Sequence, residues 1–220
     1  MANKIFSKLT LFFALCTSVF WFGCSKPGDS IVSDGMEALK NGKYENAADY
    51  FREALLADTS YSDELLYTFI AAAYTQNDKC DCAMVYYKKA LESRKDYTTY
   101  LLLASLQERS QRFSEAEETY REAIVFAPKK ADAYGCLGAL CLRTNRVKDA
   151  IVFLEKAVKM NSRTADFHAN LALAYAKDKQ KEKALSALAK AEKHGAGADF
   201  RERVEIALQN TSVSSDAVEQ

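Results

Sequence analysis

Five alanines, Ala47, Ala83, Ala116, Ala150 and Ala184, recur 36, 33, 34 and 34 residues apart. A second alanine follows each by seven positions, at Ala54, Ala90, Ala123, Ala157 and Ala191; between them stand Phe51, Tyr87, Tyr120, Leu154 and Leu188. Seven residues is two turns of α-helix, so each pair shares one helix face with the bulky residue beside it. Small residues repeating at fixed places mark points where another backbone comes close. A period near 34 residues belongs to stacked helical hairpins, whose units cannot bury their apolar faces alone.

The stretch ahead of each first alanine supplies the partner helix. Ile70-Ala71, Leu103-Ala104, Leu137-Gly138 and Leu171-Ala172 stand thirteen and twelve residues upstream, and Tyr67, Tyr100, Tyr134 and His168 three residues earlier still. A large, a medium and a small residue thus fall on one stripe of a first helix. Short polar turns follow, beginning at Asn41-Gly42, Asn77-Asp78, Ser110-Gln111, Thr144-Asn145 and Asp178-Lys179, as helix hairpins require. Pro128 lies where a proline closes a second helix.

These residues resemble the tetratricopeptide repeat (TPR) in five units, at about 28–61, 64–97, 97–130, 131–164 and 165–198. The third and fourth carry the motif best: Tyr100, Leu103, Ala104, Phe113, Ala116, Tyr120, Ala123 and Pro128, then Tyr134, Leu137, Gly138, Ala150, Leu154 and Ala157. The first is degenerate, with Asp34 in the leucine place and Ala38 where a tyrosine usually packs, although Gly35, Tyr44, Ala47, Phe51 and Ala54 fit. The resemblance implies an all-α, right-handed superhelical solenoid over 30–209. Phe200, Val204, Ala207 and Leu208 share one face of a helix at 199–209 that would cap the open end. The polar residues 210–220 are expected to be a disordered tail.

The N-terminus speaks to location. Lys4 and Lys8 precede the apolar run Leu9–Phe22. As a helix that run spans about 21 Å, short of a hydrocarbon core of about 30 Å, so residues 1–23 read as an export signal. Gly23-Cys24 resembles the end of a bacterial lipobox, although Trp21 replaces the usual leucine. That resemblance implies acyl chains of the palmitate type on Cys24, a short linker at 24–29, and a lipid-anchored protein of a bacterial envelope. The periplasmic face of the outer membrane and the cell surface both fit. An ordinary secretion signal or an uncleaved anchor is the alternative, with Cys24 incidental. Loss of Lys4 and Lys8 leaves 28 basic against 30 acidic residues, which argues against a nucleic-acid partner.

No constellation of catalytic residues emerges. His168 takes a slot otherwise filled by tyrosine, and His194 suits a helix C-terminus. Cys141 reads as a core residue, and Cys136 lies elsewhere on the same helix. Cys80-Asp81-Cys82 would bridge only under strain and lacks further zinc ligands, so a redox or metal protein is a minor reading. There is no phosphate loop, nucleophile elbow or dinucleotide fingerprint. An enzyme, a metal site and a cofactor are not expected.

In the TPR family the second, fifth, ninth, twelfth and thirteenth places of each repeat line a concave groove. Carried over, they imply a partner-binding surface from Leu65, Thr68, Ala72, Leu101, Ser105, Arg109, Ala139, Leu142, Arg143, Leu173 and Lys177. Asn170 matches one asparagine of the carboxylate-clamp members, but Asp166, Ala169 and Leu173 do not match its companions, so a clamp is not expected. Aliphatic residues with Arg109, Arg143 and Lys177 along one edge suit an apolar protein segment with an acidic flank. The expected function is a non-catalytic scaffold or adaptor of an envelope assembly. A surface adhesin or host-factor binder is the alternative, and self-association could occupy the same face.

Overall fold

The computed structural model describes residues 26–216, and its regular structure is α-helical throughout. Residues 1–23, expected to be an export signal, and Cys24 lie outside the described residues. The helices are α1 (Asp29–Lys40), α2 (Tyr44–Ala54), α3 (Asp63–Gln76), α4 (Cys80–Ser93), α5 (Tyr97–Arg109) and α6 (Phe113–Phe126), then α7 (Ala131–Arg143), α8 (Val147–Met160), α9 (Ala165–Lys177), α10 (Lys181–Lys193) and α11 (Ala198–Asp216). The chain divides into two compact units, one up to Thr119 and one from Tyr120.

One turn joins both helices of every hairpin. Its second residue is left-handed: Gly42 (φ 72°), Asp78 (55°), Gln111 (60°), Asn145 (57°) and Lys179 (61°). The next residue donates its N–H back to the first helix, as in Lys43 to Ala38 O (2.8 Å) and Gln180 to Tyr175 O (2.9 Å), while the left-handed residue bonds one carbonyl nearer the helix end. This paired closure satisfies carbonyls a helix end would otherwise leave orphaned. The residue after the left-handed one, Lys43, Lys79, Arg112, Arg146 or Gln180, opens the second helix, its carbonyl accepting from Ala47, Ala83, Ala116, Ala150 or Ala184 at 2.9–3.0 Å. The recurrent alanine is therefore held by the turn as well as by the core.

In the first unit all the small places are closed: Ala47 and Ala83 are fully buried, and Phe51 and Tyr87 are buried beside them. Phe51 packs on Phe69 with ring centroids 5.2 Å apart. A Cβ on Gly35 would come within 2.6 Å of the Phe51 ring, so the first hairpin needs glycine there. Asp96 caps α5, accepting from the Thr99 N–H at 2.8 Å. Exposed ion pairs link successive hairpins: Glu45 with Lys79, Asp78 with Arg109 (3.1 Å) and Asp81 with Arg112 (2.6 Å). Solvent screens exposed pairs of this kind, so burial holds the hairpins together.

In the second unit Leu137, Leu154, Ala150 and Ala157 are fully buried, and Ala131, Tyr134, Ala157 and Phe167 form a core cluster. Within each unit, the first helix of a hairpin packs mainly on the second helix of the one before, as α3 does on α2 and α9 on α8. Helix α11 differs, for it packs mainly on α9 and less on α10. It also runs to Asp216, past the 199–209 expected for a cap. Residues 210–216 contain no Gly or Pro, and extending an existing helix requires no new nucleation.

Candidate functional site

Places five, nine and twelve of a first helix lie three or four residues apart, and so form one stripe. On α5 that stripe is Leu101, Ser105 and Glu108, and all three are partly exposed. No other first helix keeps all three open. On α3, Thr68 is partly exposed, but Ala72 and Thr75 are buried at 4% and 8% exposure. The Thr68 hydroxyl is turned to its own helix, donating to Glu64 O at 2.7 Å. Leu65, at place two, is partly exposed and packs against the first core cluster. The thirteenth place is exposed throughout: Gln76, Arg109, Arg143 and Lys177.

At places five, nine and twelve the second unit is closed everywhere but at Ala139. Ala139 is partly exposed, but Leu142 and Leu173 retain only 7% and 6% exposure. Gly135 is covered by Phe167, and on α9 both Ala169 and Ala176 are fully buried. Spacing could not reveal that Phe167, thirty-two residues on, covers Gly135.

Arg109 donates to Asp78 Oδ1 at 3.1 Å and lies 3.8 Å from Cys80 Sγ. Cys80 and Cys82 stand in the first turn of α4, with Cys82 exposed, and neither is in a disulfide. Two residues apart on a helix, their side chains diverge by about 200°, which a bridge cannot span without unwinding the turn. Cys141 is fully buried, as a core residue should be, and Cys136 is buried as well. His168 is buried with Nε2 2.9 Å from Ser162 O, and its ring stacks on His194 with centroids 5.7 Å apart. Among the described residues no three His, Cys, Asp or Glu side chains group to hold a metal ion. No described helix is long and apolar enough to cross a membrane.

Residues 101–157 and 142–199 match one family model described as tetratricopeptide repeat, and residues 35–61 match a second of the same description. Comparison with curated protein sequences gives no match. Among solved structures, a crystal structure of MamA protein superimposes with a TM-score of 0.66 at 19% identity, covering 76% of this chain and 91% of that one. A MamA fragment, 41-end, from Desulfovibrio magneticus RS-1 gives 0.65 at 17% identity, covering 76% and 94%. At such identities the likeness shows the fold. With the alanine periods, the hairpin turns and the matched residues, it leads to one conclusion: this chain belongs to the tetratricopeptide-repeat family.

Proposed function

We propose that this protein is a non-catalytic scaffold that docks a partner segment on the α5 face, anchored to a bacterial envelope membrane through lipid on Cys24. The repeat family supports the coarser part, a protein-interaction scaffold. The observation that carries the finer part is the open stripe Leu101–Ser105–Glu108, flanked by exposed Arg109. A helical or extended segment with an apolar anchor over Leu101 and an acidic residue towards Arg109 fits that chemistry.

The start of the described chain is tied to the first hairpin, which sets how far an anchor at Cys24 would hold the fold from the bilayer. Lys26, two residues past Cys24, pairs with Asp58 at 2.8 Å, and Gly28 N–H donates to Asp58 O at 3.0 Å. Asp29 accepts from the Ser60 amide (2.7 Å), the Ser60 hydroxyl (2.9 Å) and the Lys26 amide (2.9 Å). These bonds, the Ser60 amide foremost, hold its carboxyl below the ordinary range. Acyl chains on Cys24 would therefore hold the first hairpin close to the bilayer, and each buried CH₂ adds about 0.8 kcal/mol of anchoring.

A photo-crosslinking side chain at Ser105 should capture one discrete protein in cells, and Leu101→Glu should abolish the capture. Equal capture with Leu101→Glu would refute docking on α5. Cys24→Ser should remove acyl labelling and release the chain from the membrane fraction; retention there would refute the anchor. Digestion of the chain by protease added to intact cells would mark the outward-facing adhesin.

A further inference from the structure

Helix α11 occupies a place that repeat stacking does not explain. Where a sixth first helix would lie mainly on α10, α11 lies mainly on α9. Eleven of the thirteen α9 residues are buried, including the groove places Ala169, Leu173 and Ala176. Phe200, Val204 and Leu208, each four residues on from the last, form one stripe of α11; Val204 is fully buried and the other two are half-buried. Arg201 adds an ion pair to Glu192 at 2.6 Å. Up to residue 210 the other positions of the helix are exposed except half-buried Ala207, and Ile206 is 48% exposed. The joint to α10 is short and glycine-rich, Gly195-Ala196-Gly197, with Gly195 left-handed at φ 90°.

Over residues 198–210 one side chain of α11, Val204, is buried and three, Phe200, Ala207 and Leu208, are half-buried, against eleven buried on α9, so local opening detaches α11 more readily than α9. The helix it packs on carries a strip of buried alanine and leucine, Ala169, Leu173 and Ala176. We propose that α11 is an internal ligand: it occupies the α9 face and gives way to a partner's amphipathic helix of the same pattern. That pattern is an aromatic residue with aliphatic residues four and eight positions on, among mixed charges. Binding of the partner is then reduced by the fraction of chains in which α11 is docked. This holds whether or not the α5 face binds a partner.

The test uses the full chain and a labelled peptide of residues 198–216 as the probe. The peptide should bind the Val204→Glu chain at least ten-fold tighter than the unaltered chain, and Ile206→Glu should leave affinity unchanged. Arg201→Glu disturbs no buried position, so it stays readable if Val204→Glu fails to fold, and it should raise affinity several-fold. Equal affinity across all four chains, or no binding to any, would overturn the proposal. So would dimers of the unaltered chain that Val204→Glu dissolves, since the occupant would then be a second copy.

Discussion

Phe167 lies on Gly135 so closely that a Cβ there would stand 2.1 Å from Cε1 of the ring, with Cδ1 at 2.6 Å and Cζ at 2.9 Å. Phe167 is itself 3% exposed and belongs to the core cluster of the second unit. Gly135→Ala therefore sets two effects against each other. Alanine in a helix interior gains about 1 kcal/mol over glycine, whereas displacing a packed ring costs about 1–3 kcal/mol. The clash should win, with a net loss of up to about 2 kcal/mol in urea unfolding. Phe167→Leu in the same chain should relieve the clash, so that the double variant loses less than the two single losses added. Additive losses would mean that the glycine is not there for the ring.

The hairpin turns give the opposite sign. Lys179 is left-handed at φ 61°, a conformation that costs a non-glycine residue roughly 1–2 kcal/mol. Lys179→Gly should stabilise the protein by about 0.5–1 kcal/mol, seen as a higher urea midpoint at unchanged slope. Gly42 stands at φ 72°, and a Cβ on it would meet nothing within 4 Å. Gly42→Ala should therefore lose about 1 kcal/mol through backbone strain alone. A loss on Lys179→Gly would show that its side chain contributes more than its backbone costs.

The pairing of Ala47 with Phe51, and of each later alanine with its bulky neighbour, was legible because period and helix geometry alone decide it. The left-handed turns were legible as turns, but only Gly42 announces its backbone conformation. Asp78, Gln111 and Lys179 adopt it because the helices on both sides impose the closure. The groove was less legible. Ala169 and Leu173 have groove-facing spacing, yet α11 lies on their helix, and Phe167 fills the space beside Gly135. Those outcomes depend on residues more than thirty positions away or on a helix outside the repeat, where periodicity carries no information.

Over-packing tests the phase of the repeat. Ala150 is fully buried and donates its N–H to Arg146 O at 3.0 Å at the start of α8, whereas Lys148 is exposed. Ala150→Phe should cost about 1–3 kcal/mol or more in chemical unfolding. Lys148→Phe should stay within about 0.5 kcal/mol. Similar effects at the two sites would contradict the placement of α8 against α7.

Two tyrosines make the protein sensitive to alkali. Burial pushes the Tyr87 phenol up from 10.0 to about 12. Tyr175 is likewise raised to about 12, by burial first and then by its hydrogen bond to Glu155, whose charge also opposes the phenolate. In the unfolded chain both would ionise near 10, so between pH 10 and 12 the folded state holds protons that the unfolded state has lost. Stability must then fall as pH rises through that window, by up to about 1.4 kcal/mol per pH unit for each tyrosine. Below pH 10 neither contributes a slope. Urea unfolding at pH 9, 10, 11 and 11.5 measures the slope directly. Tyr87→Phe keeps the ring in its buried place and removes the ionisable group, so it should flatten the alkaline slope by one tyrosine's share. An unchanged slope would mean that the Tyr87 phenolate meets no penalty inside the first unit.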